Sequence, residues 1–337
     1  MSNTGLWWTV AGIGAAFAAK AFLDKKRRID FHDKTVVITG GSRGLGLVLA
    51  RQFVEQGANV AICARDQDEL SRAQTDLRYR GADVFTYACD ITVKEEAEQF
   101  VRAVGQVLGS IDVLVNNAGT IVVGPLEHMT ESDFREAMES NLWSAFNMIN
   151  AVLPQMKKAR AGRIVNVTSF GGKVAIPHLA PYSVSKFAFV GYSEALRSEL
   201  LKEGIYVTTI CPGLIRTGSA RNAIFKGQNE KEYTVFKISD SIPFFTIAAD
   251  DCARQIIESC RLGEADRVIT LPAKIATALH GLAPGLVTDM LALFNTLLPA
   301  PGGIGEQRTV GKASETWLSE SILTRLTDEA AVENNEM

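Results

Sequence analysis

Along most of the chain, short runs of apolar and β-branched residues alternate with longer stretches in which apolar positions recur every three or four residues. The runs fall at 35–39, 59–65, 83–89, 112–115, 163–168, 205–211 and 267–271. Near-continuous hydrophobicity over so few residues is the mark of strands buried on both faces of a parallel sheet. The stretches between them read as helices. Val48, Leu49, Ala50, Phe53 and Val54 share one helical stripe; Val184, Phe187, Ala188, Val190, Ala195, Leu196 and Leu200 share another. A helix is also expected from 249 to 262.

Three segments break this alternation. Residues 6–23 are apolar except for Thr9 and Lys20, and Lys25-Lys26-Arg27-Arg28 follows at once. The length is at the lower limit for a membrane span. A signal peptide would carry its positive charge before the apolar run, and a buried core helix would not end in a basic cluster. The reading adopted is a membrane anchor with Trp7 and Trp8 at one interface and the following domain on the cytoplasmic side. Residues 216–247 have no clean period and are read as a mobile lid over a substrate, a surface insertion being the alternative. Residues 274–298 are strongly apolar, and Pro284-Gly285 divides them into two short helices. Leu286, Met290, Leu293 and Leu297 form one row there, with Val287, Leu291, Phe294 and Leu298 beside it. Such a face serves core packing, a dimer contact or a surface dipping into a bilayer. Residues 299–337 are polar, a loop with one short helix.

Composition narrows the class. The chain has 337 residues, 47% of them hydrophobic, and a net charge of −3, so a large core is affordable and disorder is excluded. The near-neutral balance gives no footprint for nucleic acid. Five dispersed cysteines with no C-x-x-C pair fit a reducing compartment, and four scattered histidines offer no metal-ligand spacing.

The candidate chemistry sits at the ends of the predicted strands. After the first run comes Gly40-Gly41-Ser42-Arg43-Gly44-Leu45-Gly46, directly before the first helical stripe. Glycines between a strand and a helix N-terminus are what a phosphate site needs: close backbone approach, free N–H groups and a helix dipole. The second run ends in Ala64-Arg65, where an NAD site usually carries an acid for the ribose hydroxyls. Arg65 and Arg43 are suited to a 2′-phosphate, so NADP is expected over NAD. Asp90-Ile91 closes the third run, with Asp90 either accepting from adenine or capping the helix near Lys94. Asn116 and Asn117 follow the fourth run, either knitting loops together or touching the cofactor.

The most telling stretch is 169–186. Ser169 closes a strand; Pro181 stands in the first turn of a helix on which Tyr182 and Lys186 lie one turn apart. A free phenol has a pKa of about 10, and a neighbouring ammonium favours the phenolate. Such a pair is suited to acid–base work at a substrate oxygen that Ser169 also reaches.

Together, in this order, the Gly40/Gly44/Gly46 loop, Asn116-Asn117-Ala118-Gly119, Ser169, Tyr182 and Lys186 resemble the short-chain dehydrogenase/reductase family. Pro212-Gly213-Leu214-Ile215-Arg216-Thr217 resembles the family's motif beyond the sixth strand. The resemblance spans roughly 34–271 and implies a Rossmann-like, doubly wound parallel sheet of seven strands, order 3-2-1-4-5-6-7, with helices on both faces. It implies a layout of anchor and basic flank (1–30), catalytic domain (31–272) and C-terminal apolar extension with polar tail (273–337).

The family's catalytic set maps onto Asn141 in a proton relay, Ser169 steadying the substrate oxygen, Tyr182 as acid/base and Lys186 lowering the Tyr pKa while holding the nicotinamide ribose. The cofactor set is Gly40, Ser42, Arg43, Gly44, Leu45, Gly46, Arg65, Asp90, Ile91, Asn117, Tyr182, Lys186 and Thr217, the last at the nicotinamide carboxamide. The implied enzyme is an NADP(H)-dependent oxidoreductase interconverting a carbonyl and an alcohol. The anchor and apolar extension suggest a hydrophobic substrate: a lipid ketone, steroid, retinoid or aromatic ketone. Family members are often dimers or tetramers. Two rivals are weighed. Ser183-Val184-Ser185-Lys186 fits S-x-x-K, but the companion motifs of the penicillin-recognising enzymes are absent. A silent nucleotide-sensing scaffold is disfavoured by the complete Ser169/Tyr182/Lys186 set.

Overall fold

The computed structural model describes residues 25–317, 319 and 324–337. Its centre is a seven-stranded sheet in which every pairing is parallel. The strands are β1 (Thr35–Thr39), β2 (Asn59–Ala64), β3 (Phe85–Ala88), β4 (Val113–Asn116), β5 (Gly162–Val167), β6 (Ile205–Pro212) and β7 (Asp266–Ile269). They lie in the order 3-2-1-4-5-6-7. The apolar runs became strands because alternate residues feed two different cores. Val36, Ile38, Val60, Ile62, Val113 and Val115 point to one face, and Val37, Ala61, Cys63 and Leu114 to the other.

Helices cover both faces. On the first lie α1 (Gly44–Glu55) and α2 (Gln67–Tyr79); on the second lie α3 (Lys94–Leu108) and, after α4 (Glu131–Met138), α5 (Ser144–Ala159). The long α6 (Ala180–Leu200) adds Tyr192, Leu196 and Leu200 to the second face. After it come α7 (Asn229–Ser241) and α8 (Ala249–Leu262), and α8 fills the first face with Cys252, Ala253, Ile256, Ile257 and Cys260.

The run direction of the sheet reverses between β1 and β4, so the loops leaving their ends diverge and open a crevice. Beside it sits a third apolar cluster of Val123, Leu179, Ala220, Ala223, Phe225 and Tyr233. A small sheet of Val122–Val123, Ile224–Phe225 and Thr309–Val310 holds it together. The stretch read as a lid is thus built from α7 and short strands, with Phe225 and Tyr233 fully buried.

After β7, α9 (Leu271–Leu282) and α10 (Pro284–Asn295) form the pair that Pro284 was expected to divide. Of the two rows on α10, Leu286, Met290 and Leu293 are exposed while Val287 is buried against the rest. A last helix, α11 (Arg325–Glu333), packs on α7, with Lys237 Nζ 2.7 Å from Asp328 Oδ1.

One expectation is corrected. Among the described residues no helix is long and apolar enough to cross a membrane, so the localisation as a membrane-anchored protein with a cytoplasmic catalytic domain is not upheld. The 6–23 stretch to which the anchor was assigned lies outside the described residues. The remaining apolar segment, 274–298, is broken at Pro284 into helices of 12 residues each, too short to span.

Candidate active site

The glycine loop is shaped by what it must avoid. Gly40 and Gly44 have φ of +62° and +54°, a region that disfavours side chains. A Cβ on Gly46 would lie 2.0 Å from the Gly40 carbonyl oxygen and 2.7 Å from Asn117 Nδ2, so α1 can approach the loop only without one. Asn117 ties this turn to the end of β4: its Nδ2 donates to the carbonyls of Thr39 (3.1 Å) and Gly40 (3.2 Å). The backbone N–H groups of Asn117 and Ala118 donate to Thr39 Oγ1 at 3.0 and 3.1 Å. Asn117 thus knits the two loops together. Leu45 faces the core from the same turn.

The N-cap of α1 is Arg43, which has no side-chain cap bond, and the first turn carries no acid. Such a start leaves backbone N–H groups for an external acceptor. Ser42 Oγ donates to Glu69 Oε2 at 2.8 Å, and Arg43 Nη1 donates to Glu69 Oε1 at 3.1 Å. Arg65 is exposed at the end of β2. Asp90 does not cap the following helix, whose N-cap is Val93. Instead Asp90 Oδ1 accepts from Thr92 N at 2.9 Å and Thr92 Oγ1 at 2.7 Å, which turns the chain out of β3. Ile91 is buried, and its carbonyl accepts from Asn147 Nδ2 at 3.1 Å. Thr217 is buried across from the loop, its Cβ 3.9 Å from the point a Gly44 Cβ would occupy.

The second half of the site converges on Tyr182. Pro181 stands in the first turn of α6, placing Tyr182 and Lys186 one turn apart on that helix. Ser169, at the end of β5, caps a short 3-10 turn, its Oγ accepting from Gly171 N at 3.0 Å. The Ser169 hydroxyl also lies near the Tyr182 phenol and draws its pKa down. Gly171 permits that meeting: a Cβ there would lie 3.2 Å from Tyr182 Cε1 and 3.4 Å from Ser169 Oγ. Lys186 is buried, and its Nζ donates to the Val167 carbonyl at 3.2 Å while lying 5.7 Å from the centre of the Tyr182 ring.

Asn141 reaches the same place from a π-helical turn, Glu139–Trp143, inserted between α4 and α5. Wide turns of this kind re-aim a side chain that a regular helix would leave elsewhere. Asn141 Nδ2 donates to the Thr120 carbonyl (3.1 Å) and Ser185 Oγ (3.0 Å), and Oδ1 accepts from Thr120 N at 3.0 Å. A Cβ on Gly119 would meet Asn141 Oδ1 at 2.3 Å and Lys186 Nζ at 3.5 Å, so these two side chains close on one spot.

The electrostatics differ from the expected lowering of the phenol pKa. Burial pushes the Tyr182 phenol up to about 12; the Ser169 hydrogen bond opposes it, and the charges of Cys211 and Asp240 add to it. Burial pulls Lys186 down to about 8. Tyr182 is therefore a neutral phenol near pH 7. Asp240 was not among the residues singled out in the sequence. It is a buried carboxyl on α7 that burial pushes up to about 8, against the pull of Arg216. It lies in an irregularly patterned segment, and only its effect on Tyr182 shows its place.

The comparisons with known proteins fit this geometry. A family model described as "short chain dehydrogenase" matches residues 34–226. The chain is 34% identical over 184 residues to a 3-oxoacyl-(acyl-carrier-protein) reductase of Staphylococcus epidermidis, covering 54% of this chain and 75% of that one. Among solved structures, an actinorhodin polyketide ketoreductase with NADPH superposes with a TM-score of 0.63 at 29% identity, covering 71% of this chain and 95% of the other. The L-sorbose reductase of Gluconobacter frateurii, complexed with NADPH and L-sorbose, superposes with a TM-score of 0.63 at 25% identity, covering 72% and 97%.

Proposed function

This chain belongs to the short-chain dehydrogenase family, and from that premise we propose that it is an NADP(H)-dependent oxidoreductase interconverting a carbonyl and an alcohol on a hydrophobic substrate. The observation that carries the reading is the convergence of Ser169, Tyr182 and Lys186 at the same end of the sheet as the glycine loop.

The residues fit a dinucleotide. The loop excludes side chains where a backbone must come close, and α1 begins without a cap or an acid in its first turn. Gly40, Ser42, Arg43, Gly44, Leu45 and Gly46 would hold the pyrophosphate end, and Arg43 and Arg65 a 2′-phosphate. Asp90, Ile91 and Asn117 would border the adenosine, Lys186 the nicotinamide ribose and Thr217 the carboxamide. That two structural neighbours are NADPH complexes supports the same preference.

When bound, the nicotinamide supplies or accepts the hydride. What this chain supplies is the proton and its placement. Ser169 Oγ hydrogen-bonds the substrate oxygen and keeps it facing Tyr182. Tyr182, a neutral phenol with its pKa up at about 12, donates its proton to that oxygen in the reductive direction. The Lys186 ammonium, close to the ring, stabilises the phenolate left behind. Asn141, whose side chain lies with Lys186 near Gly119, would belong to the relay that returns a proton to the phenolate. The hydrophobic substrate is supported by the apolar wall around Tyr182, where Ile121, Ile176, Leu179 and Phe236 belong to one cluster.

The test is NADPH oxidation by purified protein with lipidic, aromatic and small carbonyls. Turnover of an apolar ketone is expected; flat traces throughout, with NADH as well, would sink the assignment.

A further inference from the structure

The phosphate end of the glycine loop is met by the chain's own residues 334–336. Beyond α11 the backbone crosses the start of α1, and the Gly44 N–H donates to the Asn334 carbonyl at 2.8 Å. Asn335 Nδ2 donates to the carbonyls of Ser42 (2.8 Å) and Glu69 (3.1 Å), and Arg72 Nε donates to Asn335 Oδ1 at 2.7 Å. Arg51 holds the approach: Nη1 donates to Asn334 Oδ1 at 3.2 Å and Nη2 to the Glu333 carbonyl at 2.8 Å.

The Glu336 side chain is buried, accepts from Asn222 Nδ2 at 2.6 Å and lies 3.6 Å from Arg43 Nε. Its Oε1 is 2.5 Å from the point a Gly44 Cβ would occupy, and Thr217 borders the same point. So an amide carbonyl and a carboxyl, both hydrogen-bond acceptors, stand at a helix N-terminus that favours a phosphate. Asn335 adopts φ +60°, a conformation Asn tolerates better than most residues, and it gives both its amide donors to the loop and α2.

We propose that residues 334–336 are an intramolecular latch that competes with the dinucleotide for the glycine loop and must leave before the cofactor binds. This rests on the dinucleotide reading above. Gly44 N–H, Arg43 and the space beside Thr217 cannot serve the latch and a pyrophosphate at once. A tethered competitor acts at high effective concentration, and the apparent cofactor affinity is cut to the fraction of molecules with the latch open. A latch closed in nine molecules of ten weakens binding by about tenfold.

The experiment compares NADPH affinity, read from its fluorescence, for the full chain, the chain lacking residues 335–337, and Glu336→Ala. The truncation leaves Asn334 and the Arg51 clamp in place, and near-UV circular dichroism confirms native packing. We expect the truncated chain to bind NADPH about tenfold more tightly, with Glu336→Ala between the two. Hydrogen exchange of residues 330–337 in the full chain should accelerate when NADPH is added. Equal affinities in all three, with exchange of 330–337 unmoved by saturating NADPH, overturn the latch alone. If none of the natively packed proteins binds NADPH or NADH, the dinucleotide reading falls and the latch with it.

Discussion

The two halves of the site stand at the same end of one sheet and are prepared in opposite ways. Around Tyr182 the candidate groups lie side by side and engage their own backbone surroundings: Ser169 Oγ accepts from Gly171 N, and Lys186 Nζ donates to the Val167 carbonyl 5.7 Å from the Tyr182 ring centre. Around Gly44, the groups suited to a phosphate are engaged by Asn334, Asn335 and Glu336. The first half waits for a ligand to complete it; the second must give up a partner first. Cofactor access, not the assembly of the acid–base group, is therefore where this chain places its control.

The sharpest break in that comparison is Tyr182→Phe. Removing one oxygen while keeping the ring should cut carbonyl reduction by about a thousandfold and leave NADPH affinity within about twofold. Comparable losses in affinity would mean that the two halves are not separable. Next comes Gly46→Ala, whose Cβ would be driven into the Gly40 carbonyl. It should lower stability by about 1–3 kcal/mol in urea unfolding, as overpacked sites do, and an unchanged midpoint would show that the loop has room to spare. Smaller again is Arg65→Ala. Loss of one charge-assisted contact to a 2′-phosphate should weaken NADPH by about tenfold while NADH is unaffected; equal changes for both cofactors would remove Arg65 from that role.

Last comes the pH dependence. Burial pushes Glu336 up to about 7, outweighing the pull of Arg43 and the Asn222 hydrogen bond, with Glu69 adding to the rise. A carboxyl whose pKa is higher when docked than when free takes up a proton on docking, so docking is strongest below the ordinary carboxylate range and weakens as pH rises toward 7. The ratio of NADPH dissociation constants, full chain over truncated chain, should fall between pH 5 and 7.5. The ratio cancels the cofactor's own titration, and a rising ratio would reverse the assigned sign.

Much of the frame was legible before any coordinates. The apolar runs became strands because a central parallel strand must be hydrophobic on both faces, a pattern read residue by residue. The i, i+4 spacing of Tyr182 and Lys186 needs only a helix to act, and Pro181 marks where that helix starts. Asn141 came from resemblance alone: nothing in its neighbours announces the π-helical turn that aims it. The phenol's environment is legible only in part: the ammonium one turn away follows from the spacing, but the burial that pushes the phenol up, against the Ser169 hydroxyl, comes from segments distant in the chain.

By itself, then, the sequence determined what depends on near neighbours: strand runs, the glycine turn, the helix that starts at Pro181 and bears Tyr182 and Lys186. Those features follow from local sterics and periodicity, which a few adjacent residues fully express. Only the tertiary structure decided that residues 334–336 meet a loop almost three hundred positions earlier, and that Asp240 is buried within reach of Tyr182. Such meetings leave no local pattern, because they depend on which surfaces the packed elements bring together.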